Sequence, residues 1–181
     1  MKYYQIVQLK NGKEVLLRNG DYLDGAAVYD NFNLTHQETD YLLSYTDENS
    51  FDEKQESKFL QEKAESINEI EIIAIIDGKV VGAAGIEAIG SKYKVKHRAE
   101  IGISILKEFW GLGLGKALMN ACIQCAKNAG YKQLELNVVA ENVRAISLYK
   151  SIGFEEFGRN PRGFNSRLSG YQELVYMLLK L

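Results

Sequence analysis

The stretch Phe109-Trp110-Gly111-Leu112-Gly113-Leu114-Gly115-Lys116 decides how this chain is read. It follows the apolar run Ala99 to Leu106, which reads as a strand. It opens a helical pattern from about Gly113 to Ala129, in which Leu114, Leu118, Ala121, Cys122, Cys125 and Ala129 share one side. Alternate glycines let a backbone approach a ligand closely and adopt conformations closed to other residues. The helix start adds unpaired N–H groups and the positive end of a dipole, a combination that suits a diphosphate. Two phosphate loops fail on spacing. A P-loop needs glycine where Trp110 stands and Ser or Thr where Ala117 stands. A dinucleotide turn needs its third glycine one residue beyond Gly115 and a place near the start of a βαβ unit. A glycine turn that holds no ligand is equally compatible with the segment taken alone.

Outward from this turn the chain reads as a mixed α/β protein. Residues 3–9 and 13–18 are strand material around Asn11-Gly12. Asp21 to about Asn33 carries a helical face with Asp21 as its cap, Thr35 to Tyr45 reads as a second short helix, and Phe59, Leu60, Ala64 and Ile67 mark another. Two apolar strands, Glu71–Ile76 and Lys79–Ile89, flank Asp77-Gly78, a pair that tolerates the positive φ angles of a tight hairpin. Downstream, 133–139 alternates as a strand, and Asn142 caps a helix that Gly153 stops. Phe154–Arg159 and Tyr171–Leu181 are the last strands, with 160–170 as a polar loop between them.

Composition narrows the function. The 181 residues carry 22 Lys plus Arg against 24 Asp plus Glu, a formal charge of −2, which offers no field for tracking nucleic-acid phosphates. Cys122 and Cys125 are too few for a disulfide framework and lie mid-helix on the apolar side, so core packing accounts for them better than redox chemistry. His36 and His97 have no ligand cluster around them, which argues against a metal centre. No stretch reads as a signal peptide or a membrane span, and the cytosol is the expected compartment.

The pieces from about residue 70 onward occur in an order that resembles the GNAT superfamily of acyl-CoA-dependent N-acyltransferases. Ala99-Glu100-Ile101-Gly102-Ile103-Ser104-Ile105 is similar to that family's fourth strand. Gly111-Leu112-Gly113-Leu114-Gly115-Lys116 is similar to its pyrophosphate loop. Asn142, Ala145, Leu148-Tyr149 and Gly153-Phe154 are similar to its downstream signature. The resemblance implies one α/β domain over 1–181 with a splayed mixed sheet, residues 1–69 forming a helix-rich substrate side and 70–181 the acetyl-CoA-binding core. It implies acetyl-CoA as co-substrate without a metal, held by Ile103, Ser104, Ile105, Gly111, Leu112, Gly113, Leu114, Gly115, Lys116, Asn142, Ala145 and Tyr149. Trp110 departs from the family's usual Arg or Gln and removes one side-chain contact.

The implied reaction is direct attack of a small-molecule or peptide amine on the thioester. An alkylammonium with a pKa near 10.4 is neutral in about one molecule per thousand near pH 7, a deficit of roughly 4 kcal/mol. A base must therefore take its proton. The family's glutamate on the fifth strand corresponds here to Asn137, an amide that cannot serve, so Glu100 is the candidate base or amine anchor, with a bystander on a solvated strand face as the alternative. Tyr149 matches the tyrosine that serves the leaving thiolate. The N–H of Ile103 is the candidate donor to the thioester carbonyl. The resemblance leaves the acceptor open, with Glu-rich 47–57 and 62–71 hinting at a cation. Partners are expected to be neither nucleic acid nor membrane, and a homodimer is the default assembly. The rival readings are an acyl-CoA-binding module without catalysis and a nucleotide hydrolase.

Overall fold

Alternating and continuous apolar runs build one eight-stranded sheet in the computed structural model, which describes all residues from Met1 to Leu181. The strands are β1 (Tyr4–Gln8), β2 (Glu14–Asn19), β3 (Ile70–Ile76), β4 (Lys79–Ala88), β5 (Arg98–Ile105), β6 (Gln133–Val139), β7 (Glu155–Ser166) and β8 (Gly170–Lys180). Their spatial order is β1-β2-β3-β4-β5-β6-β8-β7. Every neighbouring pair is antiparallel except β5 and β6, which run parallel. Four helices cover the sheet: α1 (Gly25–Glu38), α2 (Glu53–Glu65), α3 (Leu114–Asn128) and α4 (Val143–Ile152).

The two faces bury different amounts of apolar surface. On one, Ile70, Ile72, Ala84, Ile86, Ala99, Ile101, Leu134 and Leu136 pack with Leu114, Leu118, Met119 and Cys122 of α3 into the main core. The thiol of Cys122 lies against the Ala84 carbonyl and Cys125 is buried beside it, so both cysteines are core residues as their helix face implies. The other face carries a small cluster, Val28, Leu60, Ile73 and Ala83, under α1 and α2. That thin cover leaves part of the second face open.

The structure corrects three assignments. Thr35–Tyr45 is not a helix of its own. Thr35 continues α1, its hydroxyl bonding back to the Asn31 carbonyl at 2.9 Å, and the helix ends at Glu38. Residues 160–170 are not a loop. β7 runs on to Ser166 with register breaks at Glu156/Gly158 and Asn160/Phe164, leaving a turn of Arg167–Ser169. Pro161 is tolerated because β7 is an outer strand, where a missing N–H leaves no ladder bond unmade. Asp21 caps a short 3-10 turn, Tyr22–Asp24, that leads into α1, rather than α1 itself.

The segment after α1 is tied to the β7–β8 turn. Asp40 accepts from Ser166 Oγ at 2.6 Å, Tyr45 Oη at 3.1 Å, Gln172 Nε2 at 3.1 Å and Ser169 Oγ at 3.2 Å. Arg167 pairs with Asp47 at 2.7 Å and Glu48 at 3.2 Å and stacks on Tyr45. It is thus spent inside the fold rather than free for an anion. Donated hydrogen bonds, that of Ser166 foremost, hold the Asp40 carboxyl below the usual aspartate range. Its stabilisation is therefore present above an ordinary Asp pKa of about 3.9 and is lost as pH falls through the depressed folded value. Amide protection in 39–52, taken relative to the unstructured exchange rate at each pH, should fall on acidification in that window, and Asp40→Asn should show the weaker protection already at neutral pH.

Candidate active site

The site begins where β5 and β6 part. They pair through Arg98–Gln133, Ala99–Leu134 and Glu100–Glu135 and no further, although β5 continues to Ile105 and β6 to Val139. β6 is drawn instead along β8 by seven pairs, Gln133–Lys180 to Val139–Leu174. β5 stays with β4, which it pairs from Ala99 to Ile105.

Backbone direction on β5 follows from two flanking bonds. Ile89 N–H donates to the Arg98 carbonyl at 3.2 Å, and Leu106 N–H to the Val81 carbonyl at 3.0 Å. Even-numbered residues thus turn their backbone groups toward β4, and Ile101, Ile103 and Ile105 turn theirs into the gap. Ser104, paired with Ala83, is among the former and offers the gap nothing from its backbone.

The glycine turn closes one end of the gap. Gly111 and Gly113 have φ of +80° and +94°, the left-handed region that penalises a side chain. Gly115 has a different duty. It lies in the first turn of α3, where a Cβ would stand 3.0 Å from Leu148 Cδ2 of α4, so it permits close helix packing. Every backbone N–H from Gly111 to Lys116 lacks an acceptor within the protein. These donors meet the N-terminus of a 15-residue helix with no side-chain cap, which is the electrostatic requirement for an anion.

Trp110 has a role that sequence reasoning missed. Its indole Nε1 donates to the Ile105 carbonyl at 2.8 Å, pinning the turn to the free edge of β5. The Arg144 guanidinium stands 5.5 Å from the indole ring centre, and its Nη1 would lie 3.8 Å from a Cβ at Gly111. Lys10, in the β1–β2 turn, donates its backbone N–H to the Leu112 carbonyl at 3.0 Å. Lys10, Lys116 and Arg144 thus put three cations on or beside the turn, none of them in an ion pair. Arg144 follows Asn142 by two residues, so the capped helix start was a signal that could have found it.

The remaining predicted residues lie on α4 and β5. Asn142 accepts from Ala145 N–H at 3.2 Å as a helix cap, which occupies Oδ1 and leaves its amide N–H groups free. Ala145 sits in that first turn. Tyr149 is 7% exposed, packs against Phe154 and makes no hydrogen bond through its hydroxyl, and burial pushes the phenol up to about 12. Glu100 is exposed, and partial desolvation together with Glu87 and Glu135 raises its pKa. Those two flank it in register on β4 and β5's other neighbour, β6. Asn137, two residues beyond Glu135, is exposed on the same face.

Comparison with known proteins follows the same outline. The model of the acetyltransferase (GNAT) family matches residues 31–154. L-amino acid N-acetyltransferase AaaT of Escherichia coli is 32% identical over 108 residues, 59% of this chain and 65% of that protein. An N-alpha-acetyltransferase of Sulfurisphaera tokodaii is 35% identical over 92 residues, 46% of this chain and 55% of that protein. The chain thus spans less than two thirds of each of these curated relatives. Among solved structures, a GNAT-family acetyltransferase of Streptococcus pneumoniae superposes with a TM-score of 0.88 at 28% identity, covering 92% of this chain and 99% of that one. The fold of yncA from Salmonella typhimurium, solved with its cofactor acetyl-CoA, matches with a TM-score of 0.80 at 20% identity, covering 92% and 94%.

Two variants test the turn by stability alone. Gly113→Ala should destabilise the protein by about 1–2 kcal/mol, since a Cβ is added in the left-handed region. Trp110→Phe should cost about 1 kcal/mol through the lost indole donor. Urea denaturation measures both.

Proposed function

The chain belongs to the acetyltransferase (GNAT) family, and on that premise we propose that it moves an acetyl group from acetyl-CoA to a primary amine by direct attack in a ternary complex. The observation that carries this reading is the row of unpartnered N–H groups from Gly111 to Lys116 beside strands that part after Glu100 and Glu135. An anion-seeking turn and an unpaired strand edge suit one ligand with a diphosphate and an amide-bearing arm.

When bound, acetyl-CoA supplies an activated acyl group open to amine attack. The residues to hold it are the turn amides, with Lys10, Lys116 and Arg144 as cations for its phosphates. The outward backbone of Ile103 and the N–H of Ile105 serve its arm, since the Ile105 carbonyl is already committed to Trp110. The free Asn142 amide adds a donor. Ile103 N–H stabilises negative charge where it develops on the acyl oxygen.

The ammonium gives its first proton to solvent, at the roughly 4 kcal/mol that its pKa implies, and Glu100 takes the second as the C–N bond forms and the nitrogen becomes strongly acidic. The raised pKa of Glu100 brings it nearer to neutral pH, where a general base works best. Tyr149 faces a different balance. A phenol near 12 would have to give its proton to a thiolate whose acid is near 8.5, uphill by roughly 5 kcal/mol. Tyr149 therefore keeps its proton and stabilises the departing sulfur by a hydrogen bond.

Calorimetry on cofactor-free protein should show acetyl-CoA binding, and thiol release should depend on added amine. No heat at millimolar acetyl-CoA refutes the reading, and binding without amine-dependent thiol release favours a non-catalytic module. Tyr149→Phe should lower kcat about 10–100-fold, the worth of one hydrogen bond to a charged group. Glu100→Gln should lower kcat about 100-fold and remove the acidic limb of the pH–rate profile.

A further inference from the structure

Beneath α2 the sheet carries carboxyls that no cation of the fold pairs. Glu71 is the one charged residue of the apolar strand β3. Across the sheet it pairs in register with Gly85 of β4, which pairs with Gly102 of β5. The Glu71 carboxyl lies across Gly85, where a Cβ would overlap its Oε2 and stand 3.0 Å from its Cδ. Gly102 is exposed, with nothing within 4 Å of the place its Cβ would take. Gly85 makes room for the Glu71 carboxyl, and Gly102 leaves the strip beside it bare as a shallow trough. Glu71 lies over one side, and the parted strands begin on the other. Glu100 stands on the same face of β5, two residues or roughly 6.6 Å away along the strand.

Glu56 of α2 is 8% exposed and, like Glu71, makes no side-chain hydrogen bond. No buried side-chain oxygen of the protein lacks a partner, so the oxygens of both open onto accessible space. The nearby cations are already spent. Lys63 of α2 holds Glu69 at 2.9 Å and Glu87 at 2.8 Å, and Arg98 of β5 holds Glu135 of β6 at 2.7 Å. Toward the sheet α1 presents Val28, Asn31 and Thr35, none of which titrates. Glu56, Glu71 and Glu100 are left without an ion-pair partner, and Lys63 acts on Glu71 only from a distance. Burial, then Glu56, pushes Glu71 up to about 8, and burial raises Glu56 as well. Carboxyls kept partly from water without partners cost stability, which a merely structural role does not offset. They are not arranged as a metal site.

On the acetyl-transfer reading above, we propose that the trough takes the far end of the acceptor. The reacting amine stands at Glu100 beside the parted strands, and a second ammonium of the same molecule lies over Gly102, backed by Glu56 and paired with Glu71, which releases its proton to solvent as the pair forms. The acceptor class is an aliphatic amine with a second positive charge a few carbons from the first.

Three acceptors of equal length that differ at the far end test this: 1,4-diaminobutane, butylamine and 4-aminobutanoate. In a thiol-release assay kcat/KM for the diamine should exceed that for butylamine by about 30-fold, mostly through KM, as one charge-assisted pair implies. The anionic 4-aminobutanoate should be slowest. Glu71→Gln should bring the diamine-to-butylamine ratio close to unity, and Gly102→Ala, for which the fold has room, should lower it. Equal turnover of the three acceptors, or an unchanged preference in Glu71→Gln, overturns the proposal.

A second readout needs no cofactor. Millimolar 1,4-diaminobutane should raise the melting temperature of the protein alone, more than butylamine does, and should fail to do so in Glu71→Gln. Such protection without thiol release from any amine keeps the trough and removes acetyl transfer. Thiol release without preference does the reverse. Equal protection by magnesium chloride overturns the amine class. Because Glu71 is raised from 4.5 to about 8, its contribution to stability is full below the lower value and is lost as pH rises through the upper one. Melting temperature should fall across that window more steeply in the wild type than in Glu71→Gln, and identical slopes contradict an unpartnered Glu71.

Discussion

The parting of β5 from β6 is the constraint on which the site depends. A parallel pair inside an otherwise antiparallel sheet is held by three residues on each strand and then abandoned. Each strand has a stronger commitment elsewhere. β6 is zipped to β8 along its whole length, and β5 is zipped to β4 while Ile101, Ile103 and Ile105 anchor it to the core under α3. Backbone groups that a closed sheet would consume are thereby left unpaired along one side of β5. A segment with unpaired donors and acceptors is costly unless water or a ligand meets it. The fold therefore maintains a receptive edge through the strength of the neighbouring ladders, not through any special residue at the edge itself.

Trp110 and Arg144 extend the same logic to the glycine turn. The backbone of Gly111 and Gly113 is free to curl, and freedom alone does not define a shape. The indole bond to Ile105, the stacked guanidinium and the Lys10 bond to Leu112 supply the definition. A side chain that looks like a lost ligand contact in the sequence is, in three dimensions, the brace that fixes where the donors point.

Much of this was legible beforehand, for physical reasons. Strands β3 to β6 and helices α3 and α4 declare themselves because their apolar periods are strong and their ends carry Asp77-Gly78, Asn142 and Gly153, residues with definite backbone preferences. The length of α1 and the run of β7 past Pro161 were not legible. Both are set by contacts distant in sequence: Asn31 to the Val80 carbonyl for α1, and the Asp40 tie to Ser166 for β7. Tyr149 is a candidate through its place in the downstream signature, and Glu100 because it is the carboxylate left on the fourth strand when Asn137 cannot serve. Glu71 was overlooked because a single carboxylate in an apolar strand has no local signature. Its meaning appears when register sets it across Gly85 and beside Gly102. Which backbone groups of β5 face the gap was fixed only by the bonds that Arg98 and Leu106 make with Ile89 and Val81, because strand alternation has no phase until a neighbouring hydrogen bond sets it.

The two margins of the sheet are built unequally. β7 is interrupted twice in register, carries Pro161, and is lined with Arg159 and Arg162. β1 is regular through Tyr4–Gln8 and shows Tyr4 and Ile6 to solvent at 70% and 55% exposure. Proline, breaks in register and charge are the devices that discourage strand accretion at a border. One border of this protein is thus guarded and the other inviting. Any cross-strand growth, whether orderly pairing of copies or the first step of precipitation, would start along β1, on the flank far from β7.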